Sequence, residues 1–229
     1  MLCFFHTPKT AGTSVREFIR TKIHPKSEII IRWANDVALI SDEQLRALDF
    51  ISGHIGYSLL GRLRPRPYTL SFFRNPIDRT ISQYRYFQQL QAEPEKSDIR
   101  SSLRKRPLKE LLRDTDSFHV ESAFRNTQCW NMVSDWWFGN RPKLRPEEAL
   151  EIAKSHVMQL DFVGLVEQMD VSLTRLCSDC GWENSGALSL NVTSSEFPAE
   201  IDQETIDMIA EQNQLDIDLY EFVRREFYD

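Results

Sequence analysis

Long apolar runs are missing from this 229-residue chain. No stretch approaches the ~20 apolar residues that cross a bilayer, which argues against stable membrane insertion. The opening residues, MLCFFHTPK, lack the basic start and apolar run of a secretory leader and already read as a core strand. Cysteine is scarce. Cys3, Cys129, Cys177 and Cys180 are too few and too scattered for a disulfide framework, so a reducing, cytoplasmic setting is expected. The pair Cys177-x-x-Cys180 has no second closely spaced pair to complete four ligands, so it reads as structural and no metal is expected. Positive excess is absent too. A formal net charge of −6 speaks against nucleic acid or a polybasic membrane attachment, and an anionic ligand must meet local positive charge.

What is present is ordinary for a folded domain: 41% hydrophobic and 27% charged residues, in a length that suits one α/β domain over 1–229. Apolar runs at 2–6, 29–33, 49–54, 68–74 and 162–165 read as buried strands. Helical spacing follows most of them, with Ser41 and Gln44 as a capping box, and further helices at about 116–133, 146–157 and 167–180 and from 203 onward. Strands alternating with helices imply a mostly parallel sheet. Between 91 and 115 the pattern gives way to charge and proline, a candidate insertion or lid, with a short helix around 108–112.

The segment Pro8-Lys9-Thr10-Ala11-Gly12-Thr13-Ser14 joins the first strand to the first helix, where backbone N–H groups and the helix dipole favour an anion. Thr10, Thr13 and Ser14 offer hydroxyl donors, Ala11 and Gly12 let the backbone close, and Lys9 supplies a mobile charge. It is not a Walker A loop, because Lys9 precedes the loop's only glycine. A second anion site follows the fourth strand in FFRNPIDRTISQYRYF. Arg74 at the strand end and Ser82 about two helical turns on can grip one phosphate, the guanidinium with bidentate geometry. Two phosphate sites at separate strand ends suit a 3′,5′-bisphosphorylated nucleotide. A P-loop-like small-molecule or nucleotide kinase, and a non-catalytic nucleotide-binding protein, remain alternatives at this point.

H-T-P-K-T-A-G-T-S resembles the 5′-phosphosulfate loop of carbohydrate-acting sulfotransferases, and Arg74-Asn75-Pro76 followed by Ser82 is similar to that family's 3′-phosphate motif, with Asn75 in place of the commoner aspartate. S-G-H-I-G-Y resembles the G-H motif of the heparan sulfate 2-O-sulfotransferase-like branch, whose histidine is the proposed base. An N-x-Q element at 126–128, FVGLVEQMDVSLTRL and LDIDLYEFVRREF extend the likeness over about 3–227, in a chain the size of a compact bacterial-type member. The resemblance implies a P-loop NTPase-like three-layer sandwich, a central parallel sheet flanked by helices. It also implies 3′-phosphoadenosine 5′-phosphosulfate (PAPS) as donor and 3′-phosphoadenosine 5′-phosphate (PAP) as product. Pro8 to Ser14 would hold the 5′-phosphosulfate, Arg74 and Ser82 the 3′-phosphate, and Lys9 the charge on the departing oxygen. His54 would be the base toward a carbohydrate or small-metabolite hydroxyl, with Glu121 as its substitute. In such a family the basic stretch Arg100, Arg104, Lys105, Arg106, Lys109 and Arg113 would suit an acceptor that is already anionic. Phe124, Trp130, Trp136 and Trp137 read chiefly as core, with an acceptor cleft as the other reading.

Overall fold

Side chains alternate along five short parallel strands, and that alternation divides the core in two. In the computed structural model, which describes residues 1–31, 39–89, 103–134, 142–183 and 201–229, the strands are β1 (Leu2–Phe5), β2 (Glu28–Ile31), β3 (Phe50–Gly53), β4 (Tyr68–Phe73) and β5 (Phe162–Leu165). The helices, in chain order, are α1 (Gly12–Ile23), α2 (Asp42–Arg46), α3 (Pro76–Gln89), α4 (Leu108–Arg113), α5 (Phe118–Phe124) and α6 (Thr127–Val133). After them come α7 (Pro146–Val157), α8 (Met169–Cys180), α9 (Gln203–Gln212) and α10 (Gln214–Phe227). Cys3, Phe5, Ile51, Phe73 and Val163 face α6, α7 and α10, packing on Met132, Val157 and Leu219. Leu2, Phe4, Phe50, Leu70 and Phe162 face α1 and α8, packing on Val15, Ile19, Leu173 and Cys177. The result is three layers, the α/β sandwich expected from the sequence. No described helix is long and apolar enough to cross a membrane.

The strand order is β2-β3-β1-β4-β5, every pair parallel. From β1 the chain moves out to β2, returns to β3 beside β1, then crosses to β4 on the other side of β1. Ligands in open parallel sheets lie outside the carboxyl ends of the strands at such a reversal. The ends of β3, β1 and β4 therefore define where a site belongs.

Several expectations needed revision. The helical pattern at 116–133 is two helices, because Asn126 adopts a left-handed backbone (φ 47°) between α5 and α6. The break is used for a reciprocal cap. The Asn126 side-chain oxygen accepts from the N–H groups of Leu215 and Asp216 at 3.0 and 3.2 Å, and the Asp216 carboxylate accepts from those of Gln128 and Cys129 at 3.0 and 2.7 Å. Each helix start thus has its orphan donors satisfied by the other. Of the 91–115 segment, 91–102 lie outside the described residues, while Leu103, Leu108, Leu111 and Leu112 are buried with Ile81, Phe87, Val120 and Ile209. Three cations of the basic stretch are paired internally. Arg106 pairs with Asp114 at 2.7 Å, Lys109 with Asp202 and Glu204 at 2.9 and 2.6 Å, and Arg113 with Glu204 at 3.2 Å. An anionic acceptor gains little from charges so engaged. Arg100, Trp33, Trp136 and Trp137 also lie outside the described residues. Trp130 is core, against Ala149, and Cys177 is buried. The Ser41–Gln44 capping box forms as read.

Gly53 ends β3 with φ 140°, and a Cβ there would collide with the Ile31 carbonyl. Gly53→Ala is expected to destabilise the fold by more than about 2 kcal/mol, from backbone strain and overpacking together. Guanidinium denaturation measures this; an unchanged midpoint would contradict the account.

Candidate functional site

The loop leaving β1 is held in shape from inside. Thr10 donates both its N–H (3.3 Å) and its hydroxyl (2.9 Å) to the Thr7 carbonyl, and buried Asn131 of α6 donates to the Thr7 hydroxyl at 3.0 Å. Lys9 and Ala11 take left-handed backbone (φ 70° and 58°), so the chain turns twice around its own N–H groups before Gly12 opens α1. That geometry resembles the concavities that bind anions. Ala11 provides no side-chain cap and the first turn of α1 carries no acid, which leaves the amino end of the helix open to an anion. Gly12 is needed for packing, since a Cβ would fall inside the His6 ring. Thr10 differs from its expected part. Its hydroxyl is buried and closes the turn, so the side-chain donors facing outward are Thr13, which is exposed, and half-buried Ser14. Half-buried Pro8 forms the turn with Lys9.

Arg74 follows β4, and its guanidinium Nη1 donates to the Lys9 carbonyl at 3.2 Å, drawing the two loops together. Its backbone is gripped by one side chain: the Arg74 N–H donates to Gln128 Oε1 at 2.9 Å, and Gln128 Nε2 donates to the Arg74 carbonyl at 2.8 Å. Asn75 caps α3 by accepting from the N–H groups of Ile77 and Asp78 at 3.0 and 3.3 Å. Aspartate could cap α3 in the same way. Asp78, Ser82 and Tyr86 recur at intervals of four on α3 and so share a stripe. Both ends of the stripe meet the loop cations. Asp78 acts electrostatically on Arg74, and Lys9 Nζ lies 4.5 Å from the Tyr86 ring centroid. Ser82 lies between them, 8% exposed, and its hydroxyl has no hydrogen-bond partner among the described residues.

Lys9 and Arg74 make no salt bridge among the described residues. Burial, and then the charge of Arg74, hold the Lys9 amine below the ordinary lysine range. Burial also lowers Arg74, against the partial support of Asp78 and Glu167. Glu167 stands just beyond β5 with both oxygens in use, one accepting from the Asn75 N–H at 2.8 Å and the other from the Tyr220 hydroxyl at 3.1 Å.

His54 emerges from the Gly53 bend at the end of β3. Its Nδ1 lies 3.0 Å from the His6 carbonyl, and because a carbonyl only accepts, Nδ1 carries the proton and Nε2 is the basic nitrogen. The His6 and His54 rings are 4.9 Å apart. Burial first, then the charge of Arg16, lowers the His54 pKa, against a raising contribution from the His6 carbonyl. His6 is held well below its ordinary value by burial and by the neighbouring charges of His54, Arg16 and Lys9. Lys9, Arg74 and His54 thus gather at three adjacent strand ends. Glu121 stands on α5, whose Val120 and Phe124 belong to the helical cluster. Two hollows, of about 570 Å³ beside Tyr68 and Asp49 and about 430 Å³ between Tyr84 and Lys109, include none of these three residues. The first is at the amino-terminal ends of the strands, opposite the ends that carry Lys9, Arg74 and His54.

No model of a known protein family matches this chain, and no curated protein matches it in sequence. Among solved structures it is similar to a sulfotransferase from Alicyclobacillus acidocaldarius, with TM-score 0.47, 14% identity, and 99% of this chain and 96% of that chain covered. It is also similar to mouse sulfotransferase SULT7A1 complexed with PAP, with TM-score 0.42, 13% identity, and 96% and 88% covered. Similarity this distant leaves the function to be argued from the residues.

Two outcomes follow for the unliganded protein. Lys9→Met removes a half-buried charge that faces Arg74, so the thermal midpoint without ligand should rise; a fall would contradict the repulsion. His6 and His54 have folded pKa values below the unfolded value of about 6.5, so the unfolded chain takes up protons first as pH falls. Urea stability should decline from about pH 7 toward pH 5, less steeply in His54→Gln. A flat profile would contradict the assignment.

Proposed function

We propose that this chain transfers a sulfuryl group from PAPS to an acceptor hydroxyl, on a carbohydrate or a small metabolite. The observation that carries the reading is the pair of unneutralised cations, Lys9 and Arg74, joined across two strand ends. Each lies beside a separate anion subsite: the open amino end of α1, and the Ser82 stripe of α3. One phosphate would leave half of this arrangement idle; a 3′,5′-bisphosphorylated nucleotide uses both. The N–H groups of Gly12, Thr13 and Ser14, the Thr13 and Ser14 hydroxyls and Lys9 would hold the 5′-phosphosulfate, while Arg74 and Ser82 hold the 3′-phosphate. Pro8, Thr10 and Ala11 give the loop its shape.

Sulfuryl transfer resembles phosphoryl transfer in its loose, in-line geometry, so the protein mainly positions, neutralises charge and takes a proton. His54 suits the last task. Its Nδ1–H is fixed on the His6 carbonyl and its depressed pKa keeps Nε2 unprotonated at neutral pH. Nε2 takes the acceptor's proton as the acceptor oxygen bonds to sulfur, and the bond from sulfur to the bridging phosphate oxygen breaks. Lys9 stabilises the charge that grows on that oxygen, and PAP leaves.

Transfer of ³⁵S from labelled PAPS to a library of hydroxyl acceptors tests the proposal. Lys9→Ala and His54→Ala should each lower transfer by at least about 10²-fold, with PAP binding weakened greatly only in Lys9→Ala. The acid limb of kcat should lie below the ordinary histidine pKa, since burial lowers His54. Full activity in His54→Ala would move the base elsewhere, with Glu121 tested next. No transfer to any acceptor despite tight PAP binding would favour a non-catalytic nucleotide-binding protein.

A further inference from the structure

One side chain, Gln128, reaches 54 residues back along the chain and takes both backbone polar groups of Arg74 at 2.9 and 2.8 Å. Those two bonds fix where the strand-end backbone of Arg74 runs and therefore where its guanidinium starts. Gln128 is itself anchored. Its N–H donates to the Asp216 carboxylate at 3.0 Å, beside the Cys129 N–H at 2.7 Å, and Asp216 lies 88 residues further along, in the first turn of α10. Asn126 returns the contact by capping α10, so α6 and α10 are locked start to start. Asp216 and Gln128 are fully buried. Burial raises the Asp216 pKa, opposed by the nearby Arg79 and by those two N–H groups; Arg79 is also fully buried, and its Nη2 donates to the Thr80 hydroxyl and the Ala123 carbonyl, each at 3.1 Å. Desolvation lowers Arg79 to about 10, still charged at neutral pH.

A buried carboxylate is costly to maintain for helix capping alone, since a neutral residue can cap the start of a helix. Here it fixes the residue that holds the second anion subsite. We infer that Gln128 and Asp216 are positioning residues for Arg74, making the start of α10 part of the machinery that distinguishes a 3′-phosphorylated nucleotide from one without that phosphate. This rests on the bisphosphate reading given above. Neither residue touches the ligand. Their effect passes through the Arg74 backbone and, by the guanidinium bond to the Lys9 carbonyl, only secondarily to the 5′ loop.

The test is the ratio of two affinities measured by calorimetry at one salt concentration, for PAP and for adenosine 5′-monophosphate. Gln128→Met keeps the volume and removes both bonds to Arg74. The ratio should fall by about tenfold, with the monophosphate affinity held within about twofold. A general loss of structure would lower both affinities together and leave the ratio in place, so the ratio separates positioning from mere stability. Asp216→Asn, which turns one acceptor oxygen into a donor facing N–H groups, should lower the ratio in the same direction. A folded Gln128→Met with the wild-type ratio overturns the inference; if that variant does not fold, a wild-type ratio in Asp216→Asn overturns it instead. A wild-type protein that binds both nucleotides equally removes the bisphosphate reading, and this inference with it.

Discussion

Two positive charges are held together at the ends of neighbouring strands, and most of the site's geometry exists to hold them there. β1 and β4 pair in register, Phe5 opposite Ser71, and the Ser71 hydroxyl donates to the Phe5 carbonyl at 2.9 Å. β4 runs two residues beyond that pair, to Phe73, before Arg74. Lys9 turns through a left-handed backbone and Arg74 reaches over to its carbonyl. Burial lowers the pKa of both groups, and at Lys9 the charge of Arg74 adds to it. Sites that stabilise a transition state commonly sacrifice stability in this way.

The surrounding groups narrow what the cations can bind. In the proposed reading the amino end of α1 and the Ser82 hydroxyl are separate anion subsites, one at each cation. A kinase would need an acid available for Mg²⁺ near the phosphates. Two acids act on Arg74, Asp78 and Glu167; Glu167 has one oxygen on the Asn75 N–H and the other on the Tyr220 hydroxyl, and so serves to orient the start of α3. The same His6 carbonyl that fixes the His54 tautomer belongs to the residue over which Gly12 closes, so the proposed base and the proposed phosphate loop are built on one support.

Much of this could be read from the sequence where the signal is local. The strands, the Ser41–Gln44 cap, the loop from Pro8 to Ser14, and the Gly53-His54 pair depend on neighbours within a few residues, and the structure places them where periodicity and turn chemistry put them. What the sequence hid depends on long-range pairing. Nothing local shows that Thr10 would turn its hydroxyl inward to Thr7, or that Asn126 would break a helical pattern in order to cap α10. Gln128 was visible as part of an N-x-Q element, yet its grip on Arg74 spans 54 residues. Asp216 sits among other acids in LDIDLYEFVRREF, and only packing shows it buried. The partners of Lys109 and Arg113, Asp202 and Glu204, lie more than ninety residues away in the chain and were equally hidden.

The central claim is that Lys9 and Arg74 together require a nucleotide with phosphates at both the 5′ and 3′ positions. Isothermal titration of the purified chain with PAP, set against ATP and Mg²⁺, tests it most directly. The account predicts tight, salt-sensitive binding of PAP in the absence of any divalent cation, and much weaker binding of ATP with Mg²⁺. Tight ATP binding with no response to PAP would contradict it.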